Sequence, residues 1–145
     1  MADNTVTSTL VTNLKVQRNP GLNIVYCMYD FKATGITTST SLVVQMVPVP
    51  DGARILDILV RNDGFVTGGF VVGDSSLSNR FITGASLSAA GQLTRLNVPG
   101  GAGYIVSLTA SAQNSYDTID WTMNGATSDS ASGCIHMTVW YVVER

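Results

Sequence analysis

The sequence predicts an all-β domain, an antiparallel two-sheet sandwich of about eight strands and of the jelly-roll kind. Apolar and polar residues alternate with a period of two from Asn23 to the C-terminus, and no window repeats apolar residues at helical spacing. Gly, Asn, Asp and Pro punctuate these segments as turns. No crossover helix is visible, so the strands are expected to run antiparallel, and a related sandwich topology stays open.

The first 22 residues differ from the rest. They are rich in Thr and Asn, contain sparse apolar residues such as Val6, Leu10 and Leu14, and end at a turn, Asn19-Pro20-Gly21. We interpret residues 1–22 as an extended arm, free in solution or docked on a neighbour, and 23–145 as the sandwich domain. Val6, Leu10 and Leu14 are therefore candidate contact residues.

Two segments predict the first core strands. Segment 23–33 has an apolar odd-numbered face of Val25, Cys27, Tyr29 and Phe31. Segment 41–49 follows after a loop and closes at the turn Pro50-Asp51-Gly52, since Pro fixes φ and Gly allows a positive φ.

The next strand, 53–63, is expected to place one apolar face in the core and to leave a mixed face for water or a partner. The predicted core face consists of Leu56, Ile58 and Val60, and the mixed face of Ile55, Asp57, Leu59 and Arg61. Leu59 is thereby a candidate oligomer contact.

Five shorter strands are predicted at 69–73, 79–83, 92–98, 103–109 and 116–123, each bounded by turn residues. The last of these alternates cleanly, with Ile119, Trp121 and Met123 inward and Thr118, Asp120 and Thr122 outward. Asp120 is expected to face solvent or a subunit contact.

Segment 134–143 is apolar on both faces, which predicts a central strand or one whose outer face another chain covers. Trp140 and Val142 lie on its second face. Together with Leu59, they are candidate contacts in a homodimer or homotrimer.

Charged residues make up only 12% of the chain, and the formal net charge is -2. The eight Lys and Arg residues are scattered and form no basic stripe, which argues against nucleic-acid binding. No signal peptide or membrane-spanning stretch is recognisable, so a soluble protein made in a cytoplasm is expected. Cys27 and Cys134 are expected to be free buried thiols on neighbouring strands.

The sequence offers no motif for catalysis, a metal or a cofactor. His136 is the single histidine, and the packed or interfacial position of a strand residue explains it better than catalysis does. Segment 73–76 could supply oxygen ligands to calcium, but it lacks a closing bidentate glutamate. Glycines 100, 101 and 103 are expected to form a turn, because no helix follows them.

Several segments in order resemble small structural proteins of tailed bacteriophages, the capsid decoration or cement proteins. These segments are VPDGARILDILVRNDG, FVVGDSSLSNRFITG, LNVPGGAGYIVSLTA, YDTIDWTMNGA and GCIHMTVWYVVER, and the resemblance spans about residues 40–145. Each segment alone is a short strand-and-turn signature, so the resemblance rests on the order of the segments along the chain.

The resemblance implies a non-enzymatic protein that binds the outer surface of a phage capsid and stabilises the shell. Its implied partners are the major capsid protein and further copies of itself, and its implied location is the virion exterior after assembly in the host cytoplasm. The alternative is a receptor- or carbohydrate-binding jelly roll of a head fibre or tail tip, for which Tyr104, Tyr116 and Trp140 are the plausible aromatic platforms.

Overall fold

The computed structural model describes residues 5–13, 15–31, 42–63, 68–87, 91–108, 116–124 and 133–143. In these ranges the chain forms nine strands and one short helix. The elements are β1 (Thr5–Thr7), α1 (Thr9–Thr12), β2 (Gly21–Asp30), β3 (Val43–Pro50), β4 (Ala53–Asp63), β5 (Gly69–Gly73), β6 (Ile82–Ser86), β7 (Gln92–Arg95), β8 (Tyr116–Asn124) and β9 (Cys134–Val143).

The strands form two sheets that pack as a sandwich. One sheet has five strands in the order β1-β3-β8-β5-β6, and the other has four in the order β2-β9-β4-β7. All described pairings are antiparallel except that of β1 with β3, which is parallel. The predicted all-β, two-sheet architecture is confirmed.

The core lies between the inner faces of the two sheets. Trp121 of β8 is fully buried, stacks on Phe70 with ring centroids 5.7 Å apart, and lies 6.2 Å from the Phe31 ring. Phe31 in turn meets Tyr29 edge to face. This aromatic cluster joins both sheets, because β2 belongs to one sheet and β8 to the other.

A β-bulge in β4 corrects one predicted face. The register of β4 against β9 shifts between Ile55 and Asp57, so two consecutive residues lie opposite one partner position. Ile55 is consequently buried and Leu56 is exposed, the reverse of the predicted assignment. Beyond the bulge the alternation resumes, and Ile58 and Val60 are buried as predicted.

Three short elements differ from their predicted bounds. Instead of 79–83, β6 occupies Ile82–Ser86, and β7 covers only the first part of 92–98. No strand forms over 103–108; there Ile105 makes a single bridge to Arg54 after the turn at residues 99–103. Turn and bridge hydrogen bonds replace a regular ladder, for example Gly103 N to Ile55 O at 2.6 Å.

The central strand β8 is buried on both faces. Ile119, Trp121 and Met123 point inward as predicted. Thr118 and Asp120, predicted to be outward, lie on the outer face but are also buried, and Asp120 is only 6% exposed. Of the two predicted environments of Asp120, solvent is wrong, because the loop of residues 74–78 lies over this face of the sheet, and a subunit contact stays a prediction.

Part of the N-terminal segment packs on its own chain. Ser8 is buried, its hydroxyl donates to Met46 O at 2.6 Å, and it caps α1 by accepting from Val11 N. Further along, the Tyr141 hydroxyl donates to Gln17 O at 2.7 Å. Within the described ranges, no helix is long and apolar enough to cross a bilayer.

Cys27 and Cys134 lie on paired strands and are both free thiols, as expected, but only Cys27 is buried. Cys27 is opposite Met137, whereas Cys134 is opposite Asp30. This three-residue offset corresponds to about 10 Å along the strand, beyond the span of a disulfide. Cys27 also belongs to the buried face and Cys134 to the partly exposed one.

Candidate interaction surface

The outer face of the four-stranded sheet carries a ladder of apolar side chains. We call this surface the apolar face. It rests on β2, whose even-numbered residues alternate with the buried ones, and on the second face of β9. Its cross-strand pairs are Leu22 with Val142, Ile24 with Trp140, and Tyr26 with Thr138. Such pairs hold the two strands in register and present one continuous surface.

Exposed apolar side chains are concentrated on this sheet. In the described part of the chain, seven of the eight exposed large hydrophobic residues belong to it or bridge to it: Leu22, Ile24, Tyr26, Met28, Leu56, Leu93 and Ile105. Ile24 and Tyr26 expose 59% and 56% of their surface. Because soluble monomers seldom gather exposed apolar residues in one patch, the face is a candidate contact surface.

The charged side chains of β4 and β7 border the apolar face. Arg95 lies 3.5 Å from Asp57, and Arg61 lies 3.2 Å from Asp63, so cations and carboxylates pair along this border. Exposed pairs of this kind contribute little to stability. They do balance the charge on this side of the surface, so two such surfaces can approach without strong repulsion.

His136 lies on the apolar face and is not built for nucleophilic catalysis. Its Nδ1 is 2.6 Å from the Tyr26 hydroxyl, while Cys134 Sγ and Asp63 Oδ2 both lie 3.5 Å from its Nε2. A triad needs nucleophile and carboxylate on opposite ring nitrogens. Burial also raises the pKa of the Cys134 thiol, which opposes thiolate formation.

Five of the six predicted contact residues are described, and they fall into two groups. Leu59, Trp140 and Val142 share the apolar face and are half-buried. Val6 and Leu10 are also half-buried, but they pack against the core of their own chain. Leu14 lies outside the described residues. Whether any of these residues contacts another subunit stays a prediction.

Sequence reasoning missed the β2 half of the apolar face. The sequence prediction covered the odd-numbered core residues of β2 and assigned no role to Ile24, Tyr26 and Met28. The signal was present, since apolar residues at both odd and even positions make β2 as two-sided as β9. Sequence reasoning also left Leu93 unassigned, for another reason. Its position depends on the pairing of β7 with β4.

The three candidate aromatic platforms do not converge. Trp140 lies on the apolar face, whereas Tyr116 begins β8 in the other sheet. Tyr104 is stacked against Arg80, whose guanidinium carbon is 4.1 Å from the ring centroid, and Phe81 meets its edge. One face of the Tyr104 ring is thus already occupied.

In segment 73–76, the Asp74 carboxylate is hydrogen-bonded to groups of its own loop. Asp74 Oδ1 accepts from Ser76 N at 3.0 Å and from Leu77 N at 2.9 Å, and Oδ2 accepts from Arg80 Nε. Arg80 therefore pairs with a loop carboxylate. In the described ranges, no group of three His, Cys, Asp or Glu side chains is placed to hold a metal ion.

Comparison with known proteins gives matches at the level of structure. No family model matches the sequence, and no curated protein matches it. A chain in the capsid of Ralstonia phage GP4 superposes with a TM-score of 0.71 at 14% identity, covering 97% of this chain and 99% of that chain. A chain in the capsid asymmetric unit of cyanophage Pam1 gives 0.63 at 15% identity, covering 88% and 89%.

A third match is to a chain in the acid-stable capsid structure of Helicobacter pylori bacteriophage KHP30. Its TM-score is 0.57 at 14% identity, covering 89% of this chain and 92% of that chain. At such low identity the likeness concerns the fold. This chain thus shares its fold, over most of its length, with chains found in the capsids of three different phages.

Proposed function

We propose that this protein is a structural component of a bacteriophage capsid, a decoration protein that binds the outer surface of the shell and stabilises it. The observation that carries the proposal is the shared fold with chains of three phage capsids over 88% or more of this chain. The low charge of the sequence supports it, because few ions must lose water when such a surface is buried.

The apolar face supports self-association as part of this function. We propose that it packs against a second copy of the same chain, in a homodimer or homotrimer. Its centre is apolar, with Ile24 opposite Trp140, and its charged border is internally paired. A surface with these properties is compatible with itself, as the two-fold contact of a homodimer requires. In a homotrimer the same face would instead meet a different patch of the neighbouring chain.

Stabilisation of the shell requires adhesion and no chemistry. Each copy needs only modest affinity, because linked copies bind neighbouring sites on the shell and gain from avidity. The partners under this proposal are the major capsid protein and the protein itself, and the location is the outside of the virion.

Co-sedimentation tests the function directly. Shells of the encoding phage are assembled without this protein, mixed with increasing amounts of it, and pelleted. We expect saturable binding and a higher temperature of shell disruption for decorated shells. A glycan array with the same protein tests the alternative function. Failure to pellet with shells, together with selective glycan binding, contradicts the proposal in favour of a receptor-binding domain.

A further inference from the structure

The outer side of the five-stranded sheet contains a polar cleft. It has a volume of about 470 Å³ and lies between β1 on one side and the loop of residues 74–78 on the other. Hydroxyl and amide side chains dominate its lining: Thr5, Gln45, Ser75, Ser76, Ser78 and Thr122. Its two acidic lining residues are Asp74, on the loop, and Asp120, a buried residue of β8.

Gly73 and Asp74 build one wall of the polar cleft. Gly73 pairs with Asp120 across β5 and β8, and a Cβ at Gly73 would lie 2.0 Å from Leu77 O. The missing side chain therefore lets the loop fold directly against the sheet. The Asp74 carboxylate then fixes the loop through Ser76 N and Leu77 N.

Asp120 is buried with one oxygen unsatisfied. Only 6% of the residue is exposed, and its Oδ1 has no hydrogen-bond partner in the described part of the chain. Buried polar atoms are nearly always paired, so this oxygen marks the position of a missing donor. Burial, with smaller contributions from Asp117 and Asp74, raises the Asp120 pKa to about 7, against a hydrogen bond from Thr118 that lowers it.

The charges around Asp120 favour a single positive charge as the missing partner. Asp74, on the loop, is already paired with Arg80. Asp117, on the same strand, accepts from Thr118 N at 2.8 Å. From β3, the residue opposite Asp120 is the uncharged Gln45. Because Arg80 and the loop amides already engage the Asp74 carboxylate, Asp120 is the one carboxylate of the lining left for a ligand. This is too few for calcium, which takes six to eight oxygen ligands and usually several carboxylates.

We propose that the polar cleft binds a lysine side chain of a neighbouring protein, with its ammonium group on Asp120 Oδ1. An ammonium carries three donors and can satisfy Oδ1 together with the hydroxyl oxygens of the lining. Arginine fits less well, because its planar fork suits two carboxylate oxygens at once. That the lysine belongs to the capsid shell rests on the proposed function; the ammonium site itself rests on the cleft.

The decisive experiment measures binding to undecorated shells at pH 6 and pH 8. With a pKa of about 7, the ionised fraction of Asp120 rises from about 10% to about 90% over this range, while lysine stays protonated. We therefore expect the affinity of the wild-type protein to rise by up to about tenfold. The Asp120→Asn variant should bind about tenfold or more weakly at pH 8 and lose this component of the pH dependence.

One control variant accompanies this measurement. Asp51→Asn removes the same charge from an exposed turn that belongs to neither proposed surface. It should keep the wild-type difference between pH 6 and pH 8. If wild type binds and Asp120→Asn binds equally well with the same pH profile, the lysine site is wrong while the proposed function stands.

A measurement on the isolated protein decides the site without shells. The pKa of the Asp120 carboxyl is followed by carbon NMR in n-butylammonium chloride and, as control, in tetramethylammonium chloride. The first cation has N–H donors and should lower the pKa of Asp120; the second has none and should leave it unchanged. No shift, or equal shifts in both salts, overturns the ammonium site whatever the shells show.

Discussion

Asp120 makes the stability of the isolated protein depend on pH. The pKa of this carboxyl is raised from 3.8 to about 7 by burial, so the folded state binds more protons than the unfolded state between these two values. The free energy of unfolding is therefore expected to fall as the pH rises from about 4 through 7, because the buried Asp120 carboxyl must lose its proton.

The Asp120→Asn variant should remove this dependence. The asparagine side chain does not ionise in this pH range. At pH 8 we therefore expect the variant to be more stable than wild type, by up to about 4 kcal/mol for a shift of three pKa units. Near pH 4 the two proteins should differ little. Urea denaturation of both proteins at pH 4 and pH 8 measures the difference, and an advantage that is equal at both values contradicts the role of Asp120.

Gly73 is required by the close approach of a loop to the sheet. In Gly73→Ala the new Cβ meets backbone atoms, Leu77 O at 2.0 Å and Ser78 C at 2.4 Å, which cannot move aside as a flexible side chain can. We expect a loss of about 3 kcal/mol or more and disruption of the polar cleft.

The matched control for this substitution is Gly100→Ala. Gly100 has a φ of +84° and open space around its Cβ position, so only backbone strain, about 1 kcal/mol, is expected. Thermal and urea unfolding of the two variants compare the costs. A Gly73→Ala protein as stable as Gly100→Ala would show that the loop does not lie against the sheet.

The side chain of Asp120 also shows where alternation along a strand stops being informative. Its face was predictable, because Asp120 alternates with the apolar residues Ile119 and Trp121. Its burial was not predictable, because the cover comes from residues some 45 positions earlier in the chain, which only the pairing of β5 with β8 brings close. Period two specifies which face a residue occupies, and tertiary packing decides whether that face is covered.

At the scale of elements, the bulge in β3 anchors the N-terminal segment. The register of β3 against β8 shifts between Gln45 and Val47, which leaves Met46 without a ladder position. Met46 O accepts instead from the Ser8 hydroxyl. Ser8→Ala should cost about 2 kcal/mol, because it leaves a buried carbonyl unpaired and removes the cap of α1.

Urea denaturation measures this loss, and proteolysis of the N-terminal segment should become faster in the same variant. Thr9→Ala, at the exposed neighbouring position, serves as the control and should change stability by less than about 0.5 kcal/mol. Equal stability of the two variants would show that the segment is not held through Ser8.

The strand elements were predictable where their patterns are long. β3, β4, β5, β8 and β9 lie within two residues of the predicted segments, and β2 begins two residues before and ends three residues before the predicted 23–33. The bulge at Ile55 and Leu56 was not predictable, because both residues are apolar and either fits the core. Segment 103–108 has the composition of a strand, yet its turn leaves a single bridge to β4.

The candidate surface was also predictable only in part, because local patterns identify single apolar faces and not the order of the strands. Trp140 and Val142 stand out because β9 is apolar on both faces, and Leu59 because its face is mixed. Their assembly into one surface with Ile24 depends on which strands pair, and no local pattern specifies that order. Sequence therefore indicated the type of surface, and strand order supplied its extent.

At the scale of the whole molecule, the apolar face is expected to drive self-association. Ile24→Asp places a charge at the centre of this face, on a residue that is 59% exposed in the single chain, so the fold itself should tolerate it. We expect light scattering at micromolar concentration to show an oligomer for wild type and a monomer for this variant. Thr83→Asp adds the same charge to the other sheet and should remain oligomeric.

The two outer surfaces should act independently, because the apolar face and the polar cleft lie on opposite sheets of the sandwich. Distant sites without shared partners contribute additively. Asp120→Asn should therefore keep the wild-type oligomeric state in light scattering while it loses pH-dependent affinity for shells. Ile24→Asp should bind shells more weakly at every pH, because avidity is lost, and should still bind better at pH 8 than at pH 6. If Ile24→Asp abolishes the pH dependence, or Asp120→Asn dissociates the oligomer, one surface performs both roles and the assignment of separate partners to the two sheets is wrong.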